Sequence, residues 1–235
     1  MKQIALLFLA LLIISCGEEK HDLTVKVDVE GLKKGTIYLK KINDTSLVTV
    51  DSVSVNGAST LVLHSKLESP EMYYLYLDKN SDVEDHISFF ADKGITEIKT
   101  SLKYFAFEPK ITGSDQQKVF EEYLKIDSRF KNENLEIIKE SFEAQKIGDT
   151  AKLNAIQKHS NSLLKRKYLY TVNFALNHSD SEVAPYLALA EIYDARLNLL
   201  DTINNSLSPK VKASKYGKEL EAFIAKIKAK ESQSE

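Results

Sequence analysis

One cysteine, five histidines, a run of carboxylates and a group of tyrosines are the side chains in this sequence whose types and spacing could support chemistry. A thiol attacks a substrate or binds a metal in its thiolate form. Because Cys16 is the only cysteine, no internal disulfide, C-x-x-C redox pair or cysteine zinc site can form. The sequence therefore predicts no thiol chemistry in the folded part of the chain.

Carboxylates and an amide crowd one predicted loop, at Asp78, Asn80, Asp82, Glu84 and Asp85. Ca²⁺ prefers several oxygen ligands presented by such a loop. The calcium-hand template, however, requires glycine where Val83 stands and a bidentate glutamate where Phe89 stands. A polar hairpin loop is the preferred interpretation, with calcium at Asp78, Asn80 and Asp82 as the alternative. No cofactor is predicted.

The histidines are scattered along the chain, at His21, His64, His86, His159 and His178. They form no i, i+4 pair and no HExxH motif, so a metal site would depend entirely on folding. The sequence also lacks a G-x-S-x-G nucleophile elbow and a phosphate-cradling glycine loop. A non-enzymatic protein is therefore expected. A hydrolase remains an alternative, which would need Ser, His and Asp or Glu to meet in one cleft.

Tyr73, Tyr74 and Tyr76 form the densest aromatic group, with Phe89 and Phe90 nearby in sequence. Aromatic faces bind sugars or peptides at low entropic cost, so these tyrosines are candidates for a ligand-binding site. Packing in the protein core is the competing interpretation and the preferred one.

The first residues have the order of an export signal. Lys2 precedes the apolar residues 4–14, and Ser15 follows them. This run is shorter than the roughly 20 residues of a transmembrane helix. Ile13-Ile14-Ser15-Cys16 resembles the bacterial lipoprotein box, in which cleavage before the cysteine leaves a lipidated amino terminus. Residues 1–15 are therefore predicted to be a signal peptide, and Cys16 the lipid anchor that joins the protein to the membrane.

Gly17-Glu18-Glu19 does not decide which side of the membrane carries the protein. The tripeptide resembles the acidic tag that sends some lipoproteins to the outer face of the outer membrane, and it equally fits a solvated tether over residues 16–22. The expected location is the outer membrane of a cell envelope, on the periplasmic or the cell-surface side. The formal net charge is −2, and this near-balance predicts no nucleic-acid partner.

Residues 23–113 have the two-residue period of strands, and about eight short strands predict an antiparallel sandwich or a partly open barrel. Residues 23–29 and 36–41 are expected to form the first hairpin. Asn56-Gly57 predicts a type I′ turn into a strand at residues 59–65. A bulge is expected at Asp51-Ser52, a central strand at residues 72–77 and a last extended stretch at residues 104–111.

After Gly113-Ser114 the period changes to 3.6, which predicts an α-helical domain over residues 114–231. Ser114 and Gln117 match a capping box. About four helices are expected: one ending at Gly148 and loosened near Asn132 to Asn134, one fading by residue 177, one over residues 183–200 and a final one. The fold class is therefore α+β.

Several stretches of the chain have the residues of a known family. They are Gly35-Thr36-Ile37-Tyr38-Leu39, residues 50–57 (VDSVSVNG), Ser69-Pro70 before Tyr73-Tyr74-Leu75, Ile111-Thr112-Gly113-Ser114, and Leu207-Ser208-Pro209 with Ser214-Lys215-Tyr216-Gly217. Together they resemble the amino-terminal half of the TlpA-like thiol-disulfide interchange lipoproteins of Bacteroidetes-type bacteria. In that family this half is a domain of unknown function, and a thioredoxin-like domain with a C-x-x-C site normally follows it.

The resemblance implies an envelope lipoprotein with a β-domain and a helical domain. The chain ends where the family's redox domain would begin, so no catalytic residue can be carried over. The sequence therefore favours a non-enzymatic binding or interaction module. An accessory to a separate thioredoxin-like oxidoreductase, which would then be its partner, is the first alternative, and an unrecognised hydrolase is the second.

Overall fold

The computed structural model describes residues 21–57, 60–78 and 86–233 of the chain. Its first part consists of strands β1 (Leu23–Glu30), β2 (Lys34–Asn43), β3 (Ser46–Asn56), β4 (Thr60–Ser65), β5 (Glu71–Asp78), β6 (His86–Ala91), β7 (Gly94–Ser101) and β8 (Lys110–Thr112). They form two four-stranded sheets, in the orders β4-β1-β7-β8 and β3-β2-β5-β6. The sheets do not close into a barrel, which confirms the sandwich-like α+β class.

Alternating side chains from both sheets fill the space between them, as the two-residue period of a strand requires. Val25 and Ile98 from the first sheet and Leu39 and Leu75 from the second are fully buried in one core. Strand β5 lies between β2 and β6, so the predicted central strand is confirmed. Most strand pairs are antiparallel, and only β1 and β7 run parallel in the described sheets.

The predicted pairing of the first two strands is wrong. Strand β1 pairs with β4 and β7, whereas β2 pairs with β3 and β5. Between β1 and β2 the chain crosses from one sheet to the other, through Gly31 at a φ of 84°. Both strands turn their apolar side chains into the same core, so the alternation of residues is the same whether they are hairpin partners or lie in opposite sheets.

Asn56-Gly57 is likewise not a type I′ turn, because only Gly57 has a positive φ there and the type I′ turn needs two such residues. The strands on either side, β3 and β4, belong to different sheets. The tight turn is instead between β2 and β3, where Asn43 pairs with Ser46 and Asp44 takes a φ of 54°.

The predicted bulge is present, next to the position expected for it. The register of β2 and β3 shifts between Leu39 and Lys40, which leaves Val50 without an opposite residue. The predicted extended stretch at residues 104–111 is wrong. Leu102–Tyr104 form a short 3₁₀ helix, whose start is capped by Ser101 Oγ, which accepts a hydrogen bond from the Tyr104 amide. The strand is reduced to β8.

Helices form the second part of the molecule: α1 (Asp115–Ile147), α2 (Thr150–Asn177), α3 (Val183–Glu191), α4 (Leu197–Ser206), α5 (Pro209–Lys212) and α6 (Lys215–Glu231). Helix α1 continues through Asn132 to Asn134 without a break. The helix predicted over residues 183–200 is two helices, because the chain turns at residues 192–196 and buries Ile192 completely. Among the described residues, no helix is long and apolar enough to cross a membrane.

The capping box at the start of α1 is half present. Ser114 Oγ accepts a hydrogen bond from the Gln117 amide at 3.0 Å, as predicted. The Gln117 side chain does not return to Ser114. Its Oε1 instead accepts a hydrogen bond from the Phe90 amide at the end of β6, at 2.8 Å, so it joins the first helix to the sandwich.

An aromatic cluster, which we call the interface cluster, packs the helices against the outer face of the second sheet. It combines Met72 and Phe90 of the sheet with Phe120, Tyr123, Phe174, Val183, Leu187 and Tyr216 of the helices. The Tyr216 hydroxyl accepts a hydrogen bond from the Met72 amide at 3.0 Å, and burial raises the pKa of that hydroxyl well above its usual range. The division into domains at residues 113 and 114 stays a prediction, and the two parts share this cluster.

Candidate functional site

Three rings lie side by side on the part of the second sheet that the helices leave open. Tyr38 of β2 pairs with Tyr76 of β5, and Tyr76 pairs with His86 of β6. Their neighbours along the strands, such as Leu75 and Ile87, are buried in the sandwich core. The rings must therefore point outward, since successive side chains of a strand face opposite sides. We call Tyr38, Tyr76 and His86 the aromatic row.

The aromatic row is held together by ring and charge contacts. The rings of Tyr76 and His86 stack at 5.0 Å between centroids and 19° between planes. Lys40 lies above the row, with its Nζ 4.3 Å from the Tyr76 ring centroid and 5.7 Å from that of Tyr38. An ammonium in this position is attracted by the negative face of each ring. The row is thus an ordered platform that includes a cation.

The predicted group of three tyrosines is divided between the two faces of β5. Tyr73 is fully buried in the sandwich core, where its hydroxyl hydrogen bonds with that of Ser65 at 2.9 Å. Desolvation raises the pKa of Tyr73 well above its usual range. Tyr74 and Tyr76 face outward and are half-buried. Only these two of the three lie at the open face.

Tyr74 marks the edge of the site, where the open sheet meets the helices. It lies between Lys40 and Ser88 in the sheet register and packs against the interface cluster beside Tyr186. Burial is the main cause that raises the pKa of Tyr74. The aromatic row therefore has helical side chains along one side and Ser52 of β3, opposite Tyr38, at one end.

This arrangement is suited to binding a flat, polar ligand. Neighbouring strands are about 4.8 Å apart, so three rings on three strands span about 10 Å, a length that fits two linked sugar rings. The ring faces can pack against the C–H faces of pyranoses. Lys40, Ser88 and His86 supply hydrogen-bonding groups at the rim.

Sequence reasoning missed Tyr38, Lys40 and His86 as members of the site. The alternation of Ile37, Tyr38, Leu39 and Lys40 does indicate that Tyr38 and Lys40 share the outward face. What the sequence does not contain is the register that brings Tyr38 opposite Tyr76, because it depends on pairing between distant strands.

The remaining histidines lie at three separate places. The rings of His21 and His64 are 4.4 Å apart at one end of the first sheet. His159 contacts a glutamate of α1 at 2.8 Å, and His178 stacks on a phenylalanine ring of α2 at 4.1 Å. Within the described parts of the chain, no hydrogen bond joins a histidine to a serine hydroxyl.

Several predictions fall wholly or partly outside the described residues, among them the signal peptide at residues 1–15 and the tether at residues 16–22. Of the three candidate calcium ligands, Asp78 is the exposed last residue of β5, whereas Asn80 and Asp82 lie outside the described residues, as does Cys16 with its predicted lipid. Over residues 21–57, 60–78 and 86–233, no group of three or more His, Cys, Asp or Glu side chains is placed to hold a metal ion.

Comparison with known families places one domain in the chain. A family model described as a domain of unknown function (DUF4369) matches residues 23–120. The matched region includes the sandwich and the first turns of α1, up to the Gln117 and Phe120 side chains that contact the second sheet. No curated protein matches the sequence. The chain therefore contains a domain of unknown function at residues 23–120, and the aromatic row lies within it.

Proposed function

We propose that the protein is a non-enzymatic binding module that holds a sugar-containing ligand on the aromatic row. The observation that carries this proposal is the alignment of Tyr38, Tyr76 and His86 on three adjacent strands, beneath the ammonium of Lys40. Their outward face is flat and polar at its rim. That is the usual form of a surface that stacks against sugar rings.

Charge favours a sugar over a nucleic acid as the ligand. Bases also stack on aromatic rings, but nucleic-acid sites supply many cations for the phosphates. The chain carries 32 basic and 34 acidic side chains, and the aromatic row has one lysine above it. A single cation suits a glycan with an occasional carboxylate. An acidic sugar beside Lys40 would gain a charge-assisted hydrogen bond.

The site is proposed to work in a cell envelope. Support comes from the leader of apolar residues 4–14 followed by Ser15 and Cys16, and from the resemblance to TlpA-like lipoproteins of Bacteroidetes-type bacteria. With lipid on Cys16, the folded part would be tethered to the outer membrane by residues 16–22. A module in that position would meet glycans of the envelope or of the surroundings.

Glycan binding by single-site variants tests this function. In a glycan array followed by calorimetry, Tyr38→Ala and Tyr76→Ala are expected to lose binding while keeping the wild-type melting temperature. Tyr104→Ala is the matched control, because Tyr104 is another tyrosine beneath a lysine, with Lys103 Nζ 5.0 Å from its ring, but it lies on the 3₁₀ helix, away from the aromatic row. Absence of any glycan ligand, or equal binding by all variants, would overturn the proposal.

A second candidate function is assistance to a separate thioredoxin-like oxidoreductase. It is supported by the match of residues 23–120 to a domain of unknown function, together with the family resemblance, in which such a domain precedes a redox domain. The test is recovery of a thioredoxin-like lipoprotein after cross-linking in intact envelopes. If the recovered proteins include none, this candidate is rejected.

A further inference from the structure

Helices α1 and α2 extend as a pair beyond the part of the molecule that packs on the sandwich. Phe120 and Tyr123, near the start of α1, belong to the interface cluster. Later in the helix, Ile137 and Ala144 form a separate small core with residues of α2, including Ile156. We call residues 128–165 the arm. It is a two-helix structure with a small core of its own.

One face of the arm carries large apolar side chains that nothing in the described structure covers. Leu135 is 62% exposed, Ile138 is 42% exposed and Phe142 is 60% exposed. Residues with this i, i+3, i+7 spacing lie on the same face of a helix. We call these three residues the apolar stripe.

A groove between α1 and α2 opens beside the apolar stripe. It has a volume of about 260 Å³ and is lined by residues that include Phe130, Asn134, Leu163 and Leu164. Asn134 lies four residues before Ile138 on α1, so the groove and the stripe adjoin. Leu164, on the α2 side, is 49% exposed. The arm thus offers both an apolar surface and a recess beside it.

The charged residues around the apolar stripe are all basic. On a helix, the surface neighbours of a residue lie three and four positions away. For the stripe these neighbours, apart from stripe members, are Lys131, Asn132, Asn134, Lys139, Ser141, Gln145 and Lys146. The set contains three lysines and no acid.

The acids of the same part of α1 form a stripe of their own, at Glu133, Glu136, Glu140 and Glu143. The first of them faces α2, where its carboxylate is bonded by Arg166 and by His159 at 2.8 Å. Along this part of α1 the acids lie on one side of the helix and the lysines on the other, and the two sets meet where Glu136 lies 3.9 Å from Lys139. The lysines surround the exposed apolar face, and the acids lie away from it.

We propose that the apolar stripe and its groove dock an acidic amphipathic helix of another protein. Such a helix would complete a three-helix bundle, with its apolar side chains on Leu135, Ile138 and Phe142. Its carboxylates would then lie against Lys139 and Lys146. The glycan site does not enter this proposal, because the aromatic row lies on the sheet and the stripe on the arm.

Other occupants fit less well. In a pairing of two copies through this same face, the lysines of one stripe would meet those of the other, and like charges repel. A membrane surface rich in anionic lipid would attract the lysines, but α1 as a whole has eight acidic and six basic side chains. A groove between two helices is also filled better by side chains than by a lipid headgroup layer.

Site-specific cross-linking tests the proposed partner. A photo-reactive phenylalanine derivative placed at Phe142 in the full chain, in cells that produce it, is expected to cross-link to one protein. Mass spectrometry of the linked peptide should show a segment with acids flanking helically spaced apolar residues. The same group at Glu140, on the acidic stripe, is the control and should give no such product. Cross-links to lipid, to a second copy or to nothing would overturn the proposal.

Two sets of variants distinguish the contribution of charge to docking from that of apolar contact. Lys139→Glu with Lys146→Glu is expected to lower the yield of the Phe142 cross-link about tenfold. Reversing the exposed lysines Lys226 and Lys230 of α6 in the same way should leave the yield unchanged. Leu135→Gln, at the other end of the stripe, should also lower it without adding charge. An unchanged yield in both test variants, with wild-type melting temperatures, would reject the docking surface.

Discussion

At the scale of single residues, two glutamates show that the surroundings can shift the pKa of the same kind of side chain in opposite directions. Glu182 precedes α3 and is 1% exposed, with its Oε2 lacking a hydrogen-bond partner in the described structure. Its nearest cation is Lys210, whose Nζ is 3.8 Å from Oε1. Desolvation is the main cause that raises the pKa of Glu182 above its usual 4.5. Burial of this charge thus opposes folding.

Glu133 has the opposite environment. Hydrogen bonds from Arg166 and His159 lower the pKa of its carboxyl below the usual value. The folded state therefore favours the charged form of Glu133 and disfavours that of Glu182. The two should contribute to stability with opposite dependence on pH.

The substitutions Glu182→Gln and Glu133→Gln test this contrast. The folded wild type holds the Glu182 proton more tightly than the unfolded chain, so its stability falls as pH rises above about 4.5. Glu182→Gln removes that loss and should stabilise the protein by an amount that grows as the pH rises above about 4.5 and levels off above the folded-state pKa. Glu133→Gln should destabilise it at pH 7, with the difference shrinking as the pH falls. Urea unfolding across this range measures both, and equal trends would contradict the assignment.

At the scale of elements, the contact between α5 and α6 depends on the absence of one side chain. A Cβ atom on Gly217, in the first turn of α6, would lie 2.1 Å from the Val211 carbonyl oxygen and 2.8 Å from Lys212 Cα. Both are backbone atoms, which cannot rotate away. Gly217 thus allows the two helices to approach closely, which gives a physical reason for glycine in the Ser214-Lys215-Tyr216-Gly217 stretch.

Gly217→Ala is expected to lower the free energy of unfolding by about 2 kcal/mol, because the added methyl group forces α5 and α6 apart. Helix propensity alone predicts the opposite sign, since alanine is favoured over glycine in helices, by up to about 1 kcal/mol. Denaturant unfolding decides between the two. Lys218→Ala, at the next and exposed position, serves as the control and should change stability by less than about 0.5 kcal/mol.

At the scale of the whole molecule, a buried ionic contact joins the sandwich to the last helix. Glu71 of β5 has a side chain that is 5% exposed and is bonded by two lysines, Lys41 of β2 at 2.7 Å and Lys215 of α6 at 2.5 Å. Lys215 also donates to the Ile42 carbonyl at 2.7 Å. With the interface cluster around Phe90, this contact makes the helices part of the same packed structure as the second sheet.

The sandwich and the helices are therefore expected to unfold together. Helical circular dichroism and tyrosine fluorescence should report one coincident transition in urea. Glu71→Gln should shift both signals together and cost about 2 kcal/mol, less than for a fully buried pair because both lysines are about a quarter exposed. Glu136→Gln, which removes an exposed pair with Lys139, should cost less than about 0.5 kcal/mol. A helical signal that outlasts the sandwich would contradict this expectation.

The amino-acid sequence by itself determined the local features of this protein. The two-residue period located most of the strands, including the central strand β5, and the change of period after Gly113 located the start of the helices. Ser114 as a helix cap was equally readable. Each of these depends on neighbours within a few positions, so the information is present in the order of the residues.

Only the tertiary structure decided which strands pair and which side chains meet. The alternation of apolar and polar residues shows that β1 and β2 each bury one face. The same alternation is compatible with two strands of one sheet and with strands of two facing sheets, which is the arrangement found. The aromatic row, the separation of Tyr73 from Tyr76 and the turn at residues 192–196 all depend on such distant contacts. Local pattern specifies the buried face of an element, whereas its neighbours are chosen by how all the faces pack together.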